Sequence, residues 1–430
     1  FVIMKSPEIL VVVHLSNNAI NTVIGQIESP QDIRVLGLSS VKNHDFSQGV
    51  IRHRERLKAA IKQSIQQAED IANCRVRSVW LSFSTPDLIS QNSIGSVSVS
   101  EGTVEAKDIV AALTNAKNNY ISDNLYLMHY SQQGIVLDDS HNMIDDAIGM
   151  SANHVSVLYH LMMMPVQGRQ NLQQLLQECD VSIDHMIFDA VSTAEYGLLE
   201  EEKQHGICFI DIGAGTTSVC VYSENKLIST HCFAEGGYDV TLDISHEMGI
   251  AIADAENLKK LYASVDRNGI DPALFTPAIR LVNQEERRFL MGRLMEVSEA
   301  RYLRIFNQIK AKLIEEQLDG FLYNGFVIAG GGAEMRGILP LAKRVFNQKV
   351  NKVTLNKAIN PHIPYEENED KLKFLADSIK LRQYQTAFGA LLYSQSDAFL
   401  HSEKSSPDSL QQSGFKMRLK KMSELLKEVF

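Results

Sequence analysis

Residues 207–222 read ICFIDIGAGTTSVCVY. Two apolar, β-branched runs flank Gly213, Ala214, Gly215, Thr216 and Thr217, the pattern of a strand, a tight turn and a second strand. Asp211 closes the first strand, two glycines then let the backbone approach a ligand, and two hydroxyls can donate to its oxygens. That combination predicts a phosphate cradle with a place for Mg²⁺. An ordinary hairpin whose glycines only make the turn has the same local signature, so the neighbouring sequence has to decide.

About two hundred residues earlier, residues 8–27 (EILVVVHLSNNAINTVIGQI) repeat the layout, and the chain reads as internally duplicated. In this copy His14 stands where Asp211 stands in the other, and Ser16, Asn17 and Asn18 replace the glycine turn. Asparagine tolerates left-handed backbone, so a hairpin is still expected, and these three side chains keep donors for a phosphate. With no metal-ligating companion nearby in sequence, His14 is expected to be structural.

Between the two copies, a strand at 35–41 precedes an amphipathic helix within 49–73 and a buried strand at 76–83. From 84 to 161 the texture changes to short alternating strands such as SIGSVSVS, a helix at 104–118 and a polar turn, which predicts an inserted small α/β module. The earlier pattern resumes at Met162 with a strand, a helix at 169–179, a strand at 183–188 and a helix at 191–202. After Tyr222, Glu235, Gly236 and Gly237 precede a helix holding DAENLK, where Glu256 and Lys259 share one face; a surface ion pair is the simplest account of them. Residues 283–318 form a long charged stretch with Arg287, Arg288, Arg293, Arg301 and Arg304, expected as a solvated helix face. In 326–337 (FVIAGGGAEMRG) a strand runs into three glycines with a helix expected from about Ala333; such a turn admits a flat ring or a phosphate. An apolar helix, YQTAFGALLY, covers 384–393, and a polar linker follows.

A net charge of −10 argues against a general nucleic-acid binder. The five cysteines lack CxxC spacing and fall mostly in apolar runs, which suggests buried thiols in a reducing compartment and no zinc. No run of eighteen apolar residues occurs, and residues 9–13 are too short for a signal-peptide core. Neither a membrane span nor export is expected.

The ordered set of two cradles, an intervening helix and a glycine turn after a strand resembles the actin-like ATPase fold. Within that fold the chain is similar to the FtsA family of bacterial division proteins, through LSFSTPDLISQNSIG, CFIDIGAGTTSVCVY, EGGYDVTLDIS, DAENLK, VIAGGGAEMRGI and YQTAFGALLY. The resemblance implies an α/β fold of duplicated ribonuclease H-like domains. Subdomain 1A would comprise 8–83, 162–192 and 386–400, with the insert 1C at 84–161. Subdomain 2A would comprise 193–232 and 301–385, with 2B at 233–300. It implies ATP and Mg²⁺ as cofactors, Asp211 holding the metal through water. The nucleotide would be bound by Ser16, Asn17, Asn18, Gly213, Gly215, Thr216, Thr217 and Gly236 around the phosphates. Gly330, Gly331 and Gly332 would border the adenosine, with Glu256 and Lys259 at ribose and base. The first cradle departs from the family's acidic residue followed by glycine, so ATP binding with weak or absent hydrolysis is expected.

The same resemblance implies self-assembly into filaments, a tether for the C-terminal tail of FtsZ, and recruitment of later divisome membrane proteins at the septum. The arginines between Arg287 and Arg304 are candidates for meeting that acidic tail. A pilus-assembly actin homologue and a small-molecule kinase of the same fold are the alternatives. What separates them is the end of the chain. Residues 401–414 read as a flexible linker, and 415–430 (FKMRLKKMSELLKEVF) as an amphipathic helix on the cytoplasmic face of the inner membrane. Phe415, Leu419, Met422 and Leu426 lie on one face, with Leu425 and Phe430 at its edges. Lys416, Lys420 and Lys421 lie opposite, and Arg418 flanks the apolar stripe, where its stem can snorkel toward an anionic membrane surface.

Overall fold

The computed structural model describes residues 8–399 except 30–31, 121, 139, 270, 355–358 and 362–368; the expected linker and the membrane helix 415–430 lie outside the described residues. Two sheets carry one connectivity twice. In the first, Glu8–Leu15 pairs antiparallel with Ala19–Ser29, which pairs antiparallel with Asp32–Lys42. On its other side Glu8–Leu15 runs parallel to Ser78–Phe83, and that strand runs parallel to Ser182–Phe188. The second sheet repeats this order with Ile207–Ile212 at its centre, Thr217–Ser223 and Lys226–Phe233 on one side, and Phe326–Ala329 and Val350–Lys352 on the other. The first sheet gains one parallel edge strand, Ile359–Pro361.

The central strand of the second sheet is apolar at almost every position because both its faces are buried. Ile207 and Phe209 enter one core together with the first sheet, while Cys208, Ile210 and Ile212 enter a second core under the helices of the other lobe. Between the sheets, helices Asp189–Gly197 and Gln385–Tyr393 cross tightly. Any side chain at Gly389 would fall on the Ser192 carbonyl, and the hydroxyls of Thr193 and Thr386 meet at 2.9 Å.

Several local expectations are corrected. The strand expected from Met162 is the end of His154–Pro165, whose residues change cores: Met163 packs inside the insert, Met162 and Met164 in the main core. The helix expected over 191–202 is two, Asp189–Gly197 and Glu200–Gln204, because Glu202 caps the Leu199 amide at 2.9 Å and starts a new turn. The last two of the three glycines open a 3₁₀ turn, Gly331–Glu334, and the helix begins only at Ile338; Gly330 and Gly337 both have positive φ, which interrupts a helix. Of the charged stretch, only Met291–Glu315 is helical, and Glu286–Arg287 belongs to a short hairpin.

The insert is a three-stranded antiparallel sheet, Ile89–Ser98, His154–Pro165 and Leu125–Leu137 in that order, under helix Ala106–Asn118. Side chains of the insert cover the outer edge of the second sheet, whose carbonyls would otherwise be unpaired. Ser90, Asn92 and Gln133 donate to the carbonyls of Thr230, Ile228 and Leu227 at 2.5, 3.0 and 3.0 Å. His160 bridges Asn92 Oδ1 and Thr230 Oγ1 at 2.7 and 2.8 Å. Burial holds this imidazole down at about 3, with His231 adding to the effect; burial does the same to His129, at about 3, and His14, at about 4. All three are neutral in the fold, whereas an unfolded histidine titrates near 6.5. Their contribution is therefore present above about pH 6.5 and lost as the pH falls toward about 4 for His14 and about 3 for His129 and His160. Thermal melts should show the melting temperature dropping over that interval, and His160→Gln should flatten the drop; an unchanged slope would contradict this assignment.

Candidate functional site

The two cradles are the same four-residue hairpin. The Gly213 amide donates to the Thr216 carbonyl at 2.9 Å, and the Ser16 amide donates to the Ala19 carbonyl at 3.0 Å. Their tips face each other across the cleft and touch: a side chain at Gly215 would fall on the Asn17 amide nitrogen. Gln48 completes the junction, donating from Nε2 to the carbonyls of Gly215 and Ala234, each at 3.0 Å. Gln48 lies in a loop and gave no sequence signal. Ser16 spends its hydroxyl on the Ala19 carbonyl at 2.9 Å, and Asn17 donates to Ser47 at 3.0 Å. A phosphate entering here would exchange these bonds.

The second cradle is clasped from outside by the Gly236–Gly237 turn. The Gly237 and Tyr238 amides donate to the carbonyls of Gly213 and Ala214 at 2.9 and 2.7 Å, and a Cβ at Gly236 would lie 2.6 Å from the Ala214 oxygen. Thr217 is fully buried and gives its proton to the Glu235 carbonyl at 2.8 Å, so its hydroxyl pins the turn instead of offering a free donor. Thr216 shares a 2.9 Å bond with Ser84.

The triple-glycine turn closes the same space. Gly332 lies beside Gly237, its carbonyl accepts from Tyr302 at 2.8 Å, and any side chain there would strike Ile212. Glu256 and Lys259 are more than a surface pair. Their ion pair is 2.7 Å long, and Lys259 also donates to the Gly237 carbonyl and Thr241 Oγ1, each at 2.7 Å. Burial raises the Glu256 carboxyl, but Lys259 and Thr241 outweigh it and hold it at about 2; burial lowers the Lys259 ammonium. The structure thus brings the second cradle, the Gly236 turn, the triple glycine and Lys259 around one end of the cleft.

Asp211 lies at the floor, its carboxylate against Gly330. Burial lifts it to about 6, opposed by Thr193 and Arg382. A second buried carboxylate, Asp189, is lifted to about 7 by burial and by Asp211. Asp189 was not legible as a site residue: an acid between an apolar strand and a helix looks like an ordinary helix start. Its Oδ1 is buried with no hydrogen-bond donor. Two interacting buried carboxylates, one with an unpartnered oxygen, fit the hard oxygen donors that Mg²⁺ takes.

Four of the five arginines considered for an acidic peptide have partners within the fold. Arg287 donates to the Met248 and Gly249 carbonyls, and Arg293 pairs with Glu247 and Glu296. Arg301 pairs with Asp243 at 2.6 Å and Glu235 at 2.8 Å, and Arg304 reaches Glu235 at 2.8 Å. Arg301→Glu is therefore expected to cost roughly 2–3 kcal/mol of stability by leaving Asp243 unpaired and setting a new carboxylate beside it and Glu235, which keeps Arg304. Denaturant unfolding reads this directly, and an unchanged midpoint would contradict it.

Comparison with known proteins places these features in a family. A family model described as cell division protein FtsA matches residues 208–376, and one described as the SHS2 domain inserted in FtsA matches 86–163. Between them they span more than half of the chain. The chain is 26% identical to cell division protein FtsA of Buchnera aphidicola subsp. Schizaphis graminum, covering 91% of this chain and 92% of that protein. It is 25% identical to the Pseudomonas aeruginosa protein of that name, covering 91% and 90%, and 26% identical to the Escherichia coli K12 protein, covering 80% and 83%. Among solved structures, a PilM-PilN type IV pilus biogenesis complex aligns with a TM-score of 0.61 at 15% identity, covering 90% of this chain and 98% of that one. MreB 5 of Spiroplasma citri bound to AMPPNP aligns with a TM-score of 0.52 at 13% identity, covering 91% and 97%. At these identities the two structures speak for the actin-like fold alone.

Proposed function

The chain belongs to the FtsA family of cell division proteins and has the actin-like ATPase fold, and from that premise we propose that it binds ATP with Mg²⁺ in the cleft between its two sheets and turns it over weakly or not at all. The observation that carries this reading is the convergence of Gly213, Gly215, Gly236, Gly330, Gly331 and Gly332 on one end of the cleft, where the turns pack closely on one another and open space is left beside Gly331. The ligand supplies the reactive phosphates. Asp211 would hold its metal through water, Thr216 and the cradle amides would bind the phosphates, and Glu256 and Lys259 would lie toward ribose and base. Ser16, Asn17 and Asn18 would meet the phosphates from the other lobe. Weak turnover follows from His14, which is buried and neutral at pH 7 where the first cradle would need a carboxylate to orient a metal and a water.

In this proposal the protein assembles into filaments on the cytoplasmic face of the inner membrane at the division septum. It anchors FtsZ through that protein's C-terminal tail and recruits later divisome proteins. Attachment in this proposal falls to residues 415–430, whose apolar positions recur at helical spacing beside five basic side chains; no described helix is long and apolar enough to cross a membrane. Titration with a fluorescent ATP analogue and Mg²⁺ tests the cleft. Saturable binding to the full chain and its loss in Asp211→Ala are expected; equal binding by both proteins would remove Asp211 from the site.

A further inference from the structure

A short hairpin between strand Asp32–Lys42 and helix Arg54–Ala72 bridges the two lobes where the cradle tips meet. Its strands are Phe46–Ser47 and Val50–Ile51, and its two turn residues, Gln48 and Gly49, both have positive φ, as the tightest hairpin turns require. The root belongs to the first lobe. Phe46 is buried edge-on against Phe83 with ring centroids 6.2 Å apart, Asn43 donates to the Ser16 carbonyl at 2.8 Å, and a Cβ at Gly49 would lie 2.5 Å from Thr85. The first cradle also holds the tip: the Gln48 backbone N–H donates to Asn17 Oδ1 at 3.2 Å, and Asn17 Nδ2 donates to Ser47 at 3.0 Å. From this seat the Gln48 side chain crosses to the other lobe. Its amide nitrogen donates to the carbonyl of Gly215 in the second cradle and to that of Ala234, just ahead of the glycine turn that clasps the cradle.

We propose that Gln48 is a positioning residue that clasps the two lobes together and sets how fast nucleotide enters and leaves the cleft, with little effect on how tightly it is held. This rests on the cleft being the nucleotide site and adds to it a control of exchange. Entry and release require the lobes to part. The donors and acceptors at the junction divide into two groups. A phosphate offers acceptors, so it can draw the Ser16 hydroxyl and the Asn17 amide away from their present partners, but it cannot take the place of Gln48 on two carbonyls. The clasp therefore survives loading. A contact that stabilises the empty and the filled closed cleft alike changes rates and leaves the equilibrium between them unshifted. Both the length and the donor character of the side chain are needed. Asparagine is one methylene shorter, glutamate accepts where the carbonyls need a donor, and lysine has both the reach and the protons. Gln48 is only half-buried, so none of these replacements disturbs a core, and asparagine tolerates left-handed backbone.

The test uses the full chain, Mg²⁺ and a fluorescent N-methylanthraniloyl ATP in a stopped-flow instrument. Association is followed on the empty chain, and dissociation by chasing the loaded chain with excess unlabelled ATP. With two neutral hydrogen bonds lost, Gln48→Asn and Gln48→Glu should each release the analogue at least about fivefold faster than the wild type and take it up faster by a similar factor, so that Kd stays within about twofold. Gln48→Lys should keep the wild-type release rate. A role in stability alone would reduce the amount of active protein and leave the rates of the remainder unchanged. Release at the wild-type rate in both Gln48→Asn and Gln48→Glu, faster release with no change in association, or fast release in Gln48→Lys would each overturn the clasp while the cleft reading stands. A wild type that binds no analogue would remove the cleft reading and the clasp with it.

Discussion

Gly331→Leu should fold as well as the wild type and bind ATP at least about tenfold more weakly, a loss of about 1.4 kcal/mol, whereas Gly330→Ala should lose stability. The two neighbours differ in what a side chain would meet. At Gly331 nothing lies within 4 Å of an added Cβ, and its φ is not positive, so the new side chain extends into open space without strain. In the proposed site that space belongs to the nucleotide, and the cost appears in binding alone. At Gly330 the backbone has φ 86° and ψ 172°, a region open essentially to glycine. A Cβ there would fall on Asp211 Oδ1 and the Ile212 carbonyl. Backbone strain and overpacking together are expected to cost about 2–4 kcal/mol. Denaturant unfolding and nucleotide titration on both variants check the pair. If Gly331→Leu binds ATP normally, the triple glycine is a turn and not a ligand surface.

The second large effect is expected at the membrane. Deleting residues 415–430, or changing Leu419 and Leu426 together to Glu, should abolish co-sedimentation with anionic liposomes and leave nucleotide binding intact. Phe415, Leu419, Met422, Leu426 and Val429 step by four, three, four and three, which would align them on one helical face. The segment carries five basic against two acidic side chains in a chain whose total charge is −10. Attraction of about 1 kcal/mol per basic residue to an anionic surface, added to burial of the apolar face, gives reversible binding. Filament assembly would multiply it, since many weak tails on one polymer act together. A linker over 401–414 would reach roughly 20 Å, enough to leave the folded body clear of the bilayer. Pelleting of the truncated protein with such liposomes would remove the tether from the account.

Most of the fold was legible because it is written twice. Residues 8–27 and 207–222 share one strand-turn-strand pattern, and the structure builds the same five-strand order around each. Boundaries failed where burial changes partner within an element. Met162, Met163 and Met164 read as a new strand because all three are apolar, although Met163 packs in one core and its neighbours in another. The helix over 191–202 read as continuous because a cap made by Glu202 leaves no periodic trace.

The candidate site was legible where it is made of glycine and less so where it is made of contacts between distant segments. The triple glycine announces itself in sequence. Gln48 does not, since it takes its place only when segments separated by more than a hundred residues meet, and Asp189 does not, since an acid at a helix start carries no sign in sequence of the Asp211 carboxylate that acts on it. The arginines of 287–304 show the opposite case: their charge is visible in sequence, and the partners Glu235, Asp243 and Glu247 that meet Arg301, Arg304 and Arg293 are not adjacent to them.

The most direct test of the nucleotide reading is to mix the full chain with doubly labelled ATP and Mg²⁺, isolate the complex by rapid gel filtration and identify the nucleotide it carries. The account predicts one nucleotide per chain, recovered largely as ATP, with little phosphate released on continued incubation. A chain that retains no nucleotide, or one that converts a molar excess of ATP to ADP in repeated turnovers, would contradict it.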